Sequence, residues 1–275
     1  MYKYIRHLSL DVAIGAAVMM AFTASFLEVH VDGVYYFLLS LTTWLIYTAD
    51  HLMDAKNIPH EANTPRHRFH QIHFKMILSA AIVGVFGFIL VVPRDTGVTL
   101  FRLAVGLSGF ILLYFLSLIW ARKTQFRYVL KEVFIAACYT FGVSFIPVHH
   151  AWPLDLSQYF FLFLIFTLAL SNLFIFSMRE MKPDFQDANP SAIRFMGLQV
   201  LKTLIQIILI LHLAASLFLL SEGYWPFAIL FMVMNLTLQM LYYFPEKFGK
   251  REWYRVLGDG IFLFPLIWLV VDYIF

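Results

Sequence analysis

The sequence predicts an all-α, polytopic membrane protein of about nine transmembrane helices, and three observations carry that expectation. Of its 275 residues, 61% are hydrophobic and 13% charged, with a mean hydropathy of +0.77. Soluble domains carry about 25% charged residues. Apolar runs of roughly 16–27 residues recur along the chain, and about 20 residues span a bilayer core. The basic residues sort to alternate connections between these runs. A net charge of +3 is too small to point to nucleic acid. The single cysteine, Cys138, excludes an intrachain disulfide framework.

In chain order, the apolar segments lie near 8–29, 34–50, 75–93, 98–120, 128–149, 157–178, 194–220, 223–243 and 257–274. The first follows a basic start, Lys3 and Arg6, as a signal peptide would. The run is long and no A-x-A cleavage site closes it, so it is expected to remain as a span. The second is short but can continue as helix through the acidic cluster that begins at Asp50. Phe and β-branched residues are abundant and would favour strands in water; in lipid, a helix satisfies its own backbone. With the N-terminus inside, every Lys and Arg except Arg94 and Arg102 falls on the cytoplasmic side. This is a strong positive-inside pattern for a multi-pass protein of the inner, cytoplasmic membrane. Residues 1–275 are expected to form a single integral membrane domain. Acid-x-x-x-acid clusters recur beyond the second and sixth segments, which points to a pseudo-repeat of the first four and next four helices, with motif loops near 50–73 and 178–193.

Those clusters are the informative feature, because carboxylates beside so much apolar sequence are costly. The first is Asp50-His-Leu-Met-Asp54 and the second is Glu180-Met-Lys-Pro-Asp184-Phe-Gln-Asp187. Asp50 and Asp54 stand four apart and share a helical face. Pro183 makes the stretch after Glu180 a helix end or turn, with Asp184 and Asp187 on the face of a following short helix. Mg²⁺ prefers oxygen ligands and commonly bridges one or two carboxylates to a phosphate. Asp50, Asp54, Glu180, Asp184 and Asp187 are therefore the candidate Mg²⁺ ligands. Arg66, Arg68, Lys131, Arg122 and Lys123 are candidates for holding a diphosphate. The plainer alternatives are a solvated acidic loop and basic residues that meet anionic lipid.

The same residues resemble the UbiA-type intramembrane prenyltransferase superfamily. That family carries Asn-Asp-x-x-Asp-x-x-x-Asp in its first loop; here Ile46 and Tyr47 replace the Asn and first Asp, and Asp50 and Asp54 match the last two acids. Thr64-Pro65-Arg66-His67-Arg68 is similar to the family's Thr-x-x-Arg-Pro stretch, and Leu130-Lys131-Glu132 to its basic approach to the fifth helix. Glu180, Asp184 and Asp187 align with its second motif. The resemblance implies helices around a central cavity that opens to the cytoplasmic face. It also implies an isoprenyl diphosphate ionised with Mg²⁺ at Asp50, Asp54, Asp184 and Asp187, and transfer of the prenyl group to a lipophilic, aromatic acceptor. Aromatic faces, with Tyr47 and Tyr139 as the first candidates, would stabilise the allylic cation. The altered first motif keeps a second branch open, a terpene cyclase that needs no acceptor.

Other classes remain in view. His67, His70 and His73 recur every third residue and could bind a transition metal in a transporter, although the spacing drifts around a helix. A non-catalytic scaffold would follow if the altered motif had lost its chemistry. Ser171 and Asn172 could face a pocket, Asp259 reads as a helix-start acid, and 244–256 reads as an interfacial anchor.

Overall fold

The computed structural model describes residues 2–92, 127–186, 191–249 and 253–274, and every regular element among the described residues is helical. In order these are α1 (Tyr2–His7), α2 (Leu10–Phe26), α3 (Gly33–Asn57), α4 (Pro65–Ile72), α5 (Phe74–Val91), α6 (Arg127–Ala151), α7 (Leu156–Arg179) and α8 (Met181–Gln186). Then come α9 (Ala192–Ser221), α10 (Trp225–Tyr243), α11 (Pro245–Gly249), α12 (Trp253–Gly260), a 3₁₀ turn (Ile261–Leu263) and α13 (Pro265–Ile274). The expected span at 98–120 lies outside the described residues. Each other expected segment coincides with helix, although the last is α12, the 3₁₀ turn and α13 in succession rather than one continuous rod.

Among the described residues, six stretches are long and apolar enough to cross a membrane: Phe74–Val91, Lys131–Ala151, Leu156–Arg179, Ala192–Ser221, Trp225–Tyr243 and Trp253–Asp272. The apolar helix Leu10–Phe26 is shorter. Outward faces are apolar as well. Leu90 is 84% exposed and Val83 69%, which water would penalise and a lipid phase accepts. The fold fits an integral membrane protein.

Local chemistry sets the element ends. Asp155 and Gln158 form a reciprocal capping box at the start of α7, with Gln158 N donating to Asp155 Oδ1 at 2.8 Å and Asp155 N to Gln158 Oε1 at 3.0 Å. Thr64 caps α4, with Pro65 in the first turn where its missing N–H costs nothing. Pro183 is tolerated in α8 because it too falls in a first turn. Gly197 adopts φ +76° and breaks α9 internally, a conformation open to Gly. The turn before that break docks on neighbouring helices: Ala192 N donates to Glu132 Oε1 at 2.7 Å and Ile193 N to Ser177 Oγ at 3.1 Å. Two otherwise orphaned helix-start donors are satisfied in this way.

The core divides along the helix axes. At one end Phe22, Phe26, Phe161, Phe227 and Phe231 interlock, with Phe26 stacked on Phe161 at 4.0 Å. Further along, polar bonds join α7, α9 and α10: Thr167 Oγ1 and His212 Nδ1 lie 2.9 Å apart, and Asn235 Nδ2 donates to Leu209 O at 2.9 Å. The last turn of α3 and the start of α6 mark the opposite end, where α12 approaches α7 closely. A Cβ on Gly258 would lie 2.5 Å from Asn172 Oδ1 and 2.6 Å from the Phe176 ring.

Gly258→Ala should therefore lower stability by about 1–3 kcal/mol through overpacking. Gly260→Ala, whose Cβ would meet nothing within 4 Å, should leave the midpoint nearly unchanged. Thermal unfolding of both variants in detergent checks this; equal midpoints would contradict the close approach.

Candidate functional site

One face of α3 builds the first wall of the site. Leu39, Thr43, Ile46, Tyr47, Asp50 and Asp54 repeat at three- and four-residue steps, and all of them line one cavity of about 250 Å³. From α6 come Lys131, Ile135, Tyr139 and Gly142; from α7 Ala169, Asn172, Phe176 and Glu180; from the last helical run Arg255, Asp259 and Phe262. Leu39 lies eleven residues before Asp50, so the apolar wall runs about 16 Å from the carboxylates along the helix. One end of the cavity is charged and the rest is apolar and aromatic.

The charged end is closely balanced. Lys131 Nζ lies 3.4 Å from Asp50 Oδ1 and 3.9 Å from Asp54 Oδ2, so both carboxylates of the first motif converge on one cationic group. His67 Nε2 is 3.8 Å from Asp54 Oδ2. Burial, and next the positive charge of Arg255, push the His67 imidazole down to about 4, so it is neutral there at physiological pH. Arg66 NH1 donates to His51 Nε2 at 3.1 Å, and Arg66 NH2 stands 3.9 Å from Asp259 Oδ2. The short helix α4 places Arg66 and His67, and Gln71 holds the loop before it by donating to Ala55 O, Ile58 O and His60 O while accepting from Ala62 N.

Glu180 has a different environment. Arg255 grips both its oxygens through Nε and NH2, and Tyr254 OH donates to Oε1 at 2.9 Å. Burial alone would raise the Glu180 carboxyl; the Arg255 charge and these hydrogen bonds outweigh it and hold the carboxyl below its ordinary range. Glu180 is thus an ionised partner of Arg255 with both oxygens engaged.

The structure brings Tyr47, Asp50, Asp54, Arg66, Lys131 and Glu180 to one cavity. Arg68 does not line it: its guanidinium bonds Ala62 O at 3.1 and 3.2 Å and pairs with the exposed Glu61 at 2.9 Å. Asp184 falls in α8 and its side chain lies outside the described part, as do Asp187, Arg122 and Lys123 altogether. Among the described residues, no three His, Cys, Asp or Glu side chains are grouped to hold a metal by themselves.

Two residues that the sequence did not single out for the site, Arg255 and Asp259, line the cavity, and a third, Tyr254, bonds to Glu180 beside it. Asp259 is not at a helix start but near the end of α12, buried and facing Arg66. Tyr254 and Arg255 belong to a segment that reads as interfacial anchoring, yet they engage Glu180. Two polar atoms in the cavity walls, Tyr139 Oη and Asn172 Oδ1, are buried without a hydrogen-bond partner. Such atoms are costly when isolated. Comparison with known proteins gives no matching family model, curated protein or solved structure.

Glu180→Gln should destabilise the fold by about 3–5 kcal/mol, because the Arg255 charge would stay buried without its partner. Chemical denaturation in detergent would show this; an unchanged midpoint would mean the pair carries no structural role. A second expectation concerns pH. His70 is buried, and its Nδ1–H donates to Arg66 O at 2.9 Å. Burial outweighs that hydrogen bond and lowers the ring from 6.5 to about 4. Between those values the unfolded chain binds a proton that the folded chain refuses, so stability falls as pH drops from about 6.5 towards 4. His67, lowered in the same way, contributes to the same window, so His70→Gln should reduce the slope of the melting profile there without abolishing it; an unaltered slope would exclude His70 as a source.

Proposed function

We propose that this chain is a Mg²⁺-dependent intramembrane prenyltransferase: it ionises an isoprenyl diphosphate and passes the prenyl group to a lipophilic, aromatic acceptor. The observation that carries this is the cavity itself, in which two convergent carboxylates, a lysine and an arginine close one end of an apolar, aromatic-walled chamber. An amphiphile with an anionic head and a hydrocarbon tail matches that division. The proposal includes about nine spans around the cavity, a cytoplasmic N-terminus and a charged end on the cytoplasmic side, in keeping with the positive-inside pattern.

Asp50 and Asp54 fit Mg²⁺, since their oxygens already converge on one cation and this ion is typically held by one or two carboxylates plus substrate phosphate. Asp184 and Asp187 would complete the set from the second motif. Glu180 fits less well as a ligand, because Arg255 and Tyr254 occupy both of its oxygens; its role is to hold Arg255 in place. When bound, Mg²⁺ supplies charge neutralisation to the leaving diphosphate.

The side chains do the rest. Lys131 and Arg66 donate to non-bridging phosphate oxygens, and Arg122 and Lys123 would add to them. As the allylic C–O bond breaks, its electron pair leaves with the diphosphate, and the apolar walls keep water from the cation. Tyr47, Tyr139, Phe176 and Phe262 line the cavity and offer ring faces worth about 0.5–2 kcal/mol each to a cation. The acceptor then attacks and loses a proton.

The aromatic lining and Tyr47 in place of an acid also favour a second outcome, in which the cation is captured by a double bond of its own chain, as in a terpene cyclase. Purified protein supplied with Mg²⁺ and allylic diphosphates of increasing length, with and without quinone precursors, separates the two by pyrophosphate release and analysis of the organic extract. Asp54→Asn should lower release at least about 100-fold, the scale of losing one group that stabilises developing charge. Full activity in Asp54→Asn, or no release from the wild type under any condition, would overturn the assignment.

A further inference from the structure

A second pocket of about 190 Å³ adjoins the cavity, sharing Arg66, Glu180 and Arg255 with its lining. Its lining is guanidinium-rich: Arg6 from α1, Arg66 from α4, Arg179 from the end of α7 and Arg255 from α12, with Glu180 as the carboxylate among them. These four arginines come from sites far apart in the chain and converge without forming any sequence motif.

Their charges are unevenly matched. Arg255 is committed to Glu180, whose two oxygens it engages. Arg66 faces Asp259 at 3.9 Å and donates to His51. Arg179 makes no ion pair among the described residues. Its Nε and NH2 are buried without a hydrogen-bond partner, and its only described contact of this kind is with the Tyr254 ring, 5.4 Å from the guanidinium carbon. Arg179 as a whole is half-buried, but donors held out of water without a partner are costly, and a guanidinium edge with two such donors is a natural partner of a tetrahedral oxyanion, which it can bind through two parallel hydrogen bonds.

We propose that this arginine pocket is an oxyanion-binding site for a phosphate group, separate from the Lys131–Asp50–Asp54 cluster, with Arg179 as its principal donor. The group can be a free phosphate or diphosphate or the headgroup of an anionic lipid, since the pocket adjoins the end of an apolar helix. Binding here needs neither Mg²⁺ nor turnover, so it stands or falls separately from the diphosphate chemistry at Asp50 and Asp54.

The test uses the full chain in detergent with chelator present. Inorganic phosphate and pyrophosphate are titrated by calorimetry, and retained lipid is counted by native mass spectrometry after exchange into phosphatidic acid or phosphatidylcholine. The wild type should bind a phosphate species, and Arg179→Gln should weaken it by about tenfold or more. Arg179→Lys should keep only part of the affinity, because it retains the charge and loses the fork. Lys247→Gln, on an exposed stretch of α11, should bind as the wild type does. Binding of pyrophosphate without lipid assigns the site to a soluble anion; retention of phosphatidic acid that phosphate displaces assigns it to a headgroup. A wild type that binds none of these, or a folded Arg179→Gln that binds as tightly as the wild type, would overturn the proposal.

Discussion

The buried ion pair between Glu180 and Arg255 is the interaction on which the charged end of this molecule depends. It joins the end of α7 to α12, which pack closely where Gly258 leaves room for the Asn172 and Phe176 side chains. Separating the partners would leave either charge stranded beside apolar helix, a much larger penalty than the net gain of forming the pair. With the pair in place, Arg255 lines both the cavity and the arginine pocket. Tyr254, the neighbouring residue, both donates to Glu180 and lies under Arg179. One pair therefore organises carboxylates on one side and guanidiniums on the other.

That arrangement separates two roles that look alike as residue types. Asp50 and Asp54 face a lysine across 3.4 and 3.9 Å, distances at which the charges interact but no tight bidentate clamp forms. Glu180 is clamped on both oxygens. The first pair shares one lysine at longer range, whereas the clamped acid has both oxygens bonded to Arg255. The same distinction applies to arginines: Arg68 is tied to Glu61 and the Ala62 carbonyl, while Arg179 keeps donors without partners among the described residues.

The opposite end of the molecule makes this tolerable. The interlocked phenylalanines of α2, α7 and α10 and the polar bonds around His212 hold the helices without help from the charged end. Helices then carry most of the cavity-lining side chains, so the cavity walls are set mainly by helix packing. The exception is α4, a short helix whose position rests on Gln71 and on the Thr64 cap. It carries both Arg66 and His67 into the site.

Much of this was legible in the sequence because it is local. The length and apolarity of each run specify a lipid-spanning helix, and four-residue spacing places Asp50 and Asp54 on one face whatever surrounds them. Thr64-Pro65 announces the start of α4, and Pro183 the break after Glu180. What the sequence could not decide is which charge meets which. Arg255 reads as an interfacial anchor and Asp259 as a helix-start acid because a composition window records neighbours in the chain; their actual partners, Glu180 and Arg66, lie far away in it. Pairing of buried charges is settled by the convergence of distant helices, since the energy of a charge depends on the groups within a few ångströms in space. The sequence by itself determined a helical membrane protein with an acidic face on α3; only the tertiary structure decided that this face opens on an aromatic chamber, that Glu180 is already engaged, and that four scattered arginines share one pocket.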